Sequence, residues 1–114
     1  MNELKIVVEA IDNKMGKHIE AIDVSKLFPF ADYFVICEAN NEKQLQAIVS
    51  ELKDQVERAG MTIKKIEGVP ESGWILVEVD DVIIHIFSRE QREHYGIERL
   101  WGDAEKVDVS EFLV

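Results

Sequence analysis

Three carboxylates stand close together in the sequence, where two strand-like runs of residues meet. Glu78 lies near the end of the first run, and Asp80 and Asp81 separate it from the second. Because Mg²⁺ prefers carboxylate oxygens, one hypothesis is a small magnesium-dependent enzyme that transfers nucleotidyl or phosphoryl groups. Successive strand residues point to opposite sides, however, so Glu78 and Val79 face different ways, and Asp80-Asp81 fits a two-residue hairpin turn. The turn is the simpler interpretation, and we expect neither a metal nor another cofactor.

The other residue types that carry catalysis form no recognisable set. The histidines are scattered, and His85 lies in an apolar run that is typical of a core or sheet-surface histidine rather than a metal ligand. Cys37 ends another apolar run, which favours a buried, unreactive thiol, and a single cysteine closes no disulfide within the chain. The sequence has no glycine-rich phosphate loop and no Gly-x-Ser-x-Gly nucleophile motif. We therefore predict that the protein is not an enzyme.

The more distinctive residues are aromatic. Trp74 opens a strand-like run directly after a loop with two glycines, whereas Trp101 lies near the carboxyl end. Tryptophan is usually a core residue in a small domain, but exposed Trp, Tyr and Arg side chains are the ones that anchor protein interfaces. Its place beside a loop makes Trp74 the better interface candidate. Arg92 and Tyr95 share one helical face and could contribute to such a surface, although a solvated helix with one buried tyrosine is the alternative.

Apolar residues at helical spacing predict two long helices and a shorter third one. The first ends at Gly16, for which we expect a left-handed backbone. The second begins after Asn40 or Asn41, whose side chain can cap it, and ends at Gly60. A capping pattern that starts at Ser88 predicts the third. These helices must position the strands and loops that carry the candidate residues.

Five further runs are strand-like, at residues 19–24, 33–38, 62–67, 74–79 and 82–87. The run 33–38 is apolar at five successive positions, which predicts a central strand that is covered on both faces. The alternation of helices and strands predicts an α/β fold with a mixed five-stranded β-sheet flanked by helices. We expect one domain over residues 1–114, with a flexible tail from about residue 105.

Composition limits the possible partners. The 114 residues carry 13 Lys and Arg against 23 Asp and Glu, a formal net charge of −10. Such acidity argues against sequence-specific nucleic-acid binding and against anionic membranes, and it suits a basic protein partner. No apolar run approaches the roughly 20 residues that cross a bilayer, and the first residues lack the pattern of a signal peptide. We expect a cytoplasmic protein.

An ordered set of segments resembles the ribosomal silencing factor family, also called RsfS or Iojap-like. The segments are Asp23-Val24-Ser25, Asp32-Tyr33-Phe34-Val35-Ile36-Cys37, Gln44-x-x-Ala47-Ile48, Glu67-Gly68, Trp74, Val82-Ile83-Ile84-His85-Ile86-Phe87 and Arg92-x-x-Tyr95-x-Ile97-Glu98-x-Leu100-Trp101-x-Asp103-Ala104. Each segment alone is unspecific, but their order from about residue 16 to residue 104 is specific. The chain is therefore similar to this family over most of its length.

The resemblance implies a nucleotidyltransferase-like fold without catalytic equipment. It implies a translation repressor that binds the large ribosomal subunit through large-subunit ribosomal protein fourteen. Such a factor blocks joining of the small subunit when nutrients are scarce, and it forms a homodimer when free. The family's binding surface corresponds here to Trp74, Val79 and their neighbours on the second hairpin strand. The predicted partner-binding residues are thus Trp74, Val79, Val82, His85, Arg92 and Tyr95.

Two positions depart from the family pattern. Glu38-Ala39-Asn40 stands where Thr-Gly-Ser is usual, and Asp80 stands where glycine is common. The first departure further weakens a nucleotide-binding hypothesis. The second requires Asp80 to adopt a positive φ if the hairpin turn is of a primed type, which aspartate tolerates better than most residues.

Overall fold

The computed structural model describes residues 2–113. The helices are α1 (Asn2–Asn13), α2 (Glu42–Arg58), α3 (Arg89–Tyr95) and α4 (Ile97–Leu100), and the strands are β1 (Lys17–Asp23), β2 (Tyr33–Ala39), β3 (Ile63–Glu67), β4 (Trp74–Val79), β5 (Val82–Ser88) and β6 (Glu105–Val107). Short 3₁₀ turns cover Pro70–Ser72 and Ser110–Phe112. All five predicted strands are present, and their bounds differ by at most two residues from those predicted.

The strands form one mixed sheet in the order β3-β4-β5-β2-β1-β6. The central pair β2 and β5 is parallel, and every other neighbouring pair is antiparallel. The prediction of a mixed sheet flanked by helices is confirmed, but the sheet has six strands rather than five. The sixth lies in the tail for which we expected flexibility, where Val107 pairs with Ala21 of β1. Three residues are too few to show a strand periodicity in the sequence.

The side chains of the sheet divide into two hydrophobic clusters. On one side, here called the helix side, alternate strand residues pack beneath the apolar stripes of α1 and α2. On the opposite side, Phe34, Phe87 and their neighbours are covered by Phe28, Ile97 of α4 and Trp101. The opposite side has no long helix over β4, and this leaves Trp74 half-buried there. The fold thus exposes one part of its sheet near the start of the hairpin.

The central strand confirms the interpretation of the apolar run. Residues 34–37 of β2 are all buried, so both faces of the strand are covered. Cys37 is completely buried, and desolvation raises the pKa of its thiol to about 12. The neutral thiol packs as a small apolar side chain.

The helix ends follow the predicted capping chemistry, with one correction. Asn41 caps α2, since its side-chain oxygen accepts a hydrogen bond from the Gln44 N–H at 2.8 Å. Gly60 follows with a left-handed φ of 77°. The expectation of a left-handed Gly16 is wrong, because Met15 adopts that conformation instead, with φ 62°. Glycine is required at position 16 by close packing, since a Cβ atom there would collide with Ile11.

Candidate protein-interaction surface

Trp74 lies at the start of β4, directly opposite Phe87 of β5. Its indole stacks on the Phe87 ring, with centroids 5.0 Å apart and planes 29° apart. The ring of Tyr95 contacts it with a centroid distance of 4.4 Å. The indole Nε1–H donates a hydrogen bond of 3.3 Å to Nδ1 of His85. Trp74 is therefore held by two rings and one directional bond while it remains only half-buried.

Tyr95 reaches Trp74 because α3 follows β5 with no intervening loop. Ser88 ends the strand and caps the helix, accepting a hydrogen bond from the Gln91 N–H at 3.2 Å. After the seven residues of α3, Gly96 ends the helix with a left-handed φ of 56°. The tyrosine side chain stays 44% exposed. Two amphipathic aromatic residues thus stand side by side at the surface.

A shallow depression of about 210 Å³ adjoins these rings and is lined by Glu67, Gly68, Trp74 and Leu76. Leu76 follows Trp74 on the same side of β4 and is half-buried. We call Trp74, Leu76 and Tyr95 the aromatic surface. The prediction did not include Leu76, although the period-2 alternation of a strand places it beside Trp74.

His85 lies directly behind the aromatic surface and is only 4% exposed. Burial lowers the pKa of its imidazole to about 4, and the charge of Glu98 only partly opposes this shift. The ring is therefore neutral at pH 7. The apolar run correctly indicates a core histidine, and a partner cannot reach this ring without a local rearrangement.

Arg92 also points inward and is 7% exposed. Its guanidinium donates to Glu98 at 2.9 Å, to Glu20 at 3.1 Å and to Glu38 at 3.3 Å, and to the backbone oxygen of His18 at 2.7 Å. A polar depression of about 430 Å³ opens beside this cluster. Although Arg92 and Tyr95 are three positions apart in one helix, only Tyr95 joins the aromatic surface. Arg92 instead ties α3 and α4 to β1 and β2.

Val79 and Val82 pair with each other across the hairpin and have no exposed area. Both side chains lie on the helix side of the sheet, in the core beneath α1 and α2. They support the hairpin from within, so a direct contact with a partner would require this end of the sheet to open.

Asp80 and Asp81 both accept structural hydrogen bonds at the hairpin turn. Asp80 has a positive φ of 46°, and its Oδ1 accepts a hydrogen bond from the Thr62 N–H at 3.3 Å. The backbone oxygen of Asp81 accepts from the Asp32 N–H at 2.8 Å. The pKa of the nearby Glu3 is raised by its burial and then by the charges of Asp81, Asp80 and Asp32. Within residues 2–113, no group of three or more His, Cys, Asp or Glu could hold a metal ion.

The second tryptophan has a different environment. Trp101 packs edge-on against Phe34 at 5.1 Å and against Phe28 at 5.7 Å. Nearby, Phe30 contacts Phe28 and is 75% exposed, and Leu100 is also exposed. This exposure could not be predicted from the sequence, because apolar residues in a loop and a short helix have no diagnostic period.

A small mixed α/β domain with a half-exposed aromatic surface and a strongly acidic composition has the features of a protein-binding module. A family model described as ribosomal silencing factor during starvation (RsfS) matches residues 1–113. The ribosomal silencing factor RsfS of Bacillus subtilis is 44% identical over 106 residues, which are 93% of this chain and 90% of that protein. The chain belongs to the ribosomal silencing factor family, so the resemblance indicated by the ordered motifs is confirmed.

Solved structures agree with this membership. A crystal structure from Bacillus halodurans has a TM-score of 0.82 at 34% identity, covering 94% of this chain and 97% of that one. An X-ray structure of a Chromobacterium violaceum protein has a TM-score of 0.85 at 30% identity, with coverage of 89% and 84%. None of the helices in residues 2–113 combines the length and apolar character needed to cross a bilayer.

Proposed function

We propose that this protein is a non-enzymatic translation repressor of the cytoplasm. It binds the large ribosomal subunit through large-subunit ribosomal protein fourteen and sterically blocks joining of the small subunit, which lowers translation under nutrient limitation. Membership of a family described as silencing factors during starvation supports the regulatory role. The partner and the steric mechanism come from the family resemblance of the ordered motifs. Steric exclusion needs occupancy and bulk rather than turnover.

The observation that carries the proposal is the half-buried Trp74, held in one orientation beside the exposed Tyr95. Large aromatic side chains bury much area on binding and lose little conformational entropy, so they dominate many interfaces. The contacts of Trp74 with Phe87 and His85 reduce that entropy loss further. An interface centred on Trp74, Leu76 and Tyr95 therefore fits the described surface.

Electrostatics supports a basic partner. The net charge is −10, and Glu67 and Glu78 lie on the strands beside the aromatic surface. A ribosomal protein with a basic surface would attract this face over several ångströms and increase the rate of encounter. We also expect the free protein to be a homodimer, which the mass measured by light scattering in solution will test.

Subunit joining provides the direct test. Purified small and large subunits are mixed with increasing amounts of the protein, and the joined fraction is measured by density-gradient sedimentation. We expect the wild-type protein to lower the joined fraction and to sediment with the large subunit. Trp74→Ala should need about tenfold to hundredfold more protein for the same effect, because truncation of an interface anchor costs about 2 kcal/mol or more.

Phe30→Ala is the matched control, because Phe30 is an exposed aromatic residue outside the aromatic surface. It should inhibit joining like the wild type, and thermal unfolding will show whether each variant is folded. Unchanged joining at saturating wild-type protein would refute the steric mechanism. Equal inhibition by a folded Trp74→Ala variant would remove Trp74 from the interface.

A further inference from the structure

The orientation of the Trp74 indole depends on one directional contact. The rings of Phe87 and Tyr95 restrict the plane of the indole, but stacking alone tolerates rotation within that plane. The terminal torsion of an aromatic side chain is also broad and roughly two-fold. The hydrogen bond from Nε1–H to Nδ1 of His85, at 3.3 Å, removes this freedom because it needs one edge of the indole to face inward.

The acceptor role of His85 requires one particular tautomer. Its imidazole is neutral, since burial lowers its pKa to about 4. A neutral imidazole carries one proton, and Nδ1 can accept from the indole only if that proton is on Nε2. Nε2 is buried and has no hydrogen-bond partner. The tautomer that binds Trp74 therefore directs a buried N–H donor away from the indole.

A matching acceptor lies on α4. Glu98 is the charged residue whose field acts on His85, and its Oε2 accepts from Arg92 at 2.9 Å. Its Oε1 is buried without a hydrogen-bond partner. Among the described side chains, those of residues 3–113, this atom and Nε2 of His85 are the two buried nitrogen or oxygen atoms that lack a partner. A contact between this donor and this acceptor would satisfy both atoms.

We propose that His85 is a positioning residue for partner binding: it holds the Trp74 indole in the orientation that contacts the large subunit. Glu98, itself fixed by Arg92, keeps the imidazole in the required tautomer. This inference rests on the proposed role of Trp74. In this inference His85 acts indirectly, by orienting Trp74, and does not itself contact the partner.

A double-mutant cycle tests the coupling. Affinity for purified large subunits is measured for His85→Phe, which removes the acceptor, for Trp74→Phe, which removes the donor, and for the double variant. We expect His85→Phe to weaken binding about fivefold, the effect of one lost hydrogen bond. The double variant should bind no more weakly than the weaker single variant. His85→Asn keeps an acceptor near the place of Nδ1 and should recover most of the affinity.

Nuclear magnetic resonance supplies a readout that a merely structural role would not change. In the wild-type protein, ¹⁵N–¹⁵N coupling across the hydrogen bond should link the Trp74 Nε1 to the His85 Nδ1. The Trp74 indole signal, assigned by its loss in Trp74→Phe, should shift and exchange faster in His85→Phe. The indole signal of Trp101 is the internal control and should stay in place. Absence of the coupling in the wild type would overturn the inference even if no His85 variant folds.

The pattern of affinities separates the two proposals. If folded Trp74 variants bind like the wild type, the interface role of Trp74 fails, and the positioning role fails with it. If Trp74 variants bind weakly but folded His85→Phe binds normally, only the positioning role of His85 is refuted. Fully additive effects of the two substitutions would also contradict it.

Discussion

His85 illustrates how burial sets the charge of a single residue beside the aromatic surface. Transferring an imidazolium ion out of water costs more than the attraction of the neighbouring Glu98 returns, so the folded protein keeps the ring neutral. The neutral ring can accept a hydrogen bond at Nδ1, and the protonated ring cannot. The same residue therefore links the stability of the fold, the orientation of Trp74 and the pH of the solution.

Stability should fall as the solution is acidified through the range in which His85 titrates. The imidazole has a pKa of about 4 in the folded protein and near 6.5 when exposed. Between these values the unfolded chain binds a proton that the folded chain does not, so acid favours unfolding. We expect the titration of His85 to lower the free energy of unfolding by on the order of 3 kcal/mol between pH 6.5 and pH 4. Below pH 4 we expect no further contribution from this residue. Urea unfolding at a series of pH values measures this loss.

The control variants separate the contribution of His85 from the contributions of the other titratable groups. His85→Phe has no imidazole and should show a flatter profile between pH 6.5 and pH 4. His94→Phe replaces an exposed histidine and should keep the wild-type slope. An identical slope in His85→Phe and the wild type would show that His85 does not titrate in this range. The charges that face the ring, Glu98 and behind it Arg92, are unchanged in both variants.

The sequence could indicate which residues belong near the site, but it could not show which of their side chains are exposed and which are buried. Trp74 could be selected from the sequence because a glycine-containing loop precedes it. Arg92 could not be placed, because its partners Glu20 and Glu38 lie 72 and 54 positions away in the chain. An arginine side chain is usually exposed at the surface, and only folding brings those carboxylates around this one. The burial of Val79 and Val82 could not be predicted either, because it depends on α1 and α2 covering their side of the hairpin.

At the scale of elements, the connection between β3 and β4 determines where Trp74 lies. Gly68 has a φ of 96°, and a Cβ atom there would collide with the backbone oxygen of Trp74. Gly60, at the end of α2, has a similar φ of 77° but has open space around it. The two glycines thus both have a positive φ and differ in packing. This difference allows the two effects to be separated experimentally.

Gly68→Ala should destabilise the protein more than Gly60→Ala. The left-handed backbone alone costs an alanine about 1 kcal/mol, and the collision with the Trp74 carbonyl should raise the total for Gly68→Ala to about 3 kcal/mol. Denaturant unfolding measures both values. Because the collision displaces the start of β4, Gly68→Ala should also weaken large-subunit binding, whereas folded Gly60→Ala should bind normally. Equal stability of the two variants would contradict the close packing of Gly68 against Trp74.

Elements with long, regular patterns were predictable, and short or context-dependent ones were not. The bounds of β4 agree with the alternating run 74–79, and β2 follows its apolar run to within one residue. The strand β6 depends on pairing with β1 rather than on its own three residues. The prediction of a left-handed backbone at Gly16 fails for a similar reason. Glycine is needed there because the backbone approaches Ile11 closely, and such a packing contact cannot be read from the local sequence.

At the scale of the whole molecule, the charge distribution and the aromatic surface have different effects on binding. A net charge of −10 acts over about one Debye length, roughly 8–10 Å at physiological salt, and changes the rate of encounter with a basic partner. In the proposed complex Trp74 and Tyr95 would act only at contact distance, and we expect them to determine the lifetime of that complex. Salt should therefore affect association and dissociation unequally.

Raising the salt concentration should slow association with the large subunit far more than it accelerates release. Ions screen the long-range attraction, whereas the contact of an aromatic anchor is mostly apolar. Surface-immobilised protein and large subunits at two salt concentrations give both rate constants. Glu78→Gln, on the strand beside Trp74, should lower the association rate constant more than Glu57→Gln on the exposed part of α2. Equal association rates at both salt concentrations would show that the acidic charge does not guide binding, and would leave the aromatic surface as its main determinant.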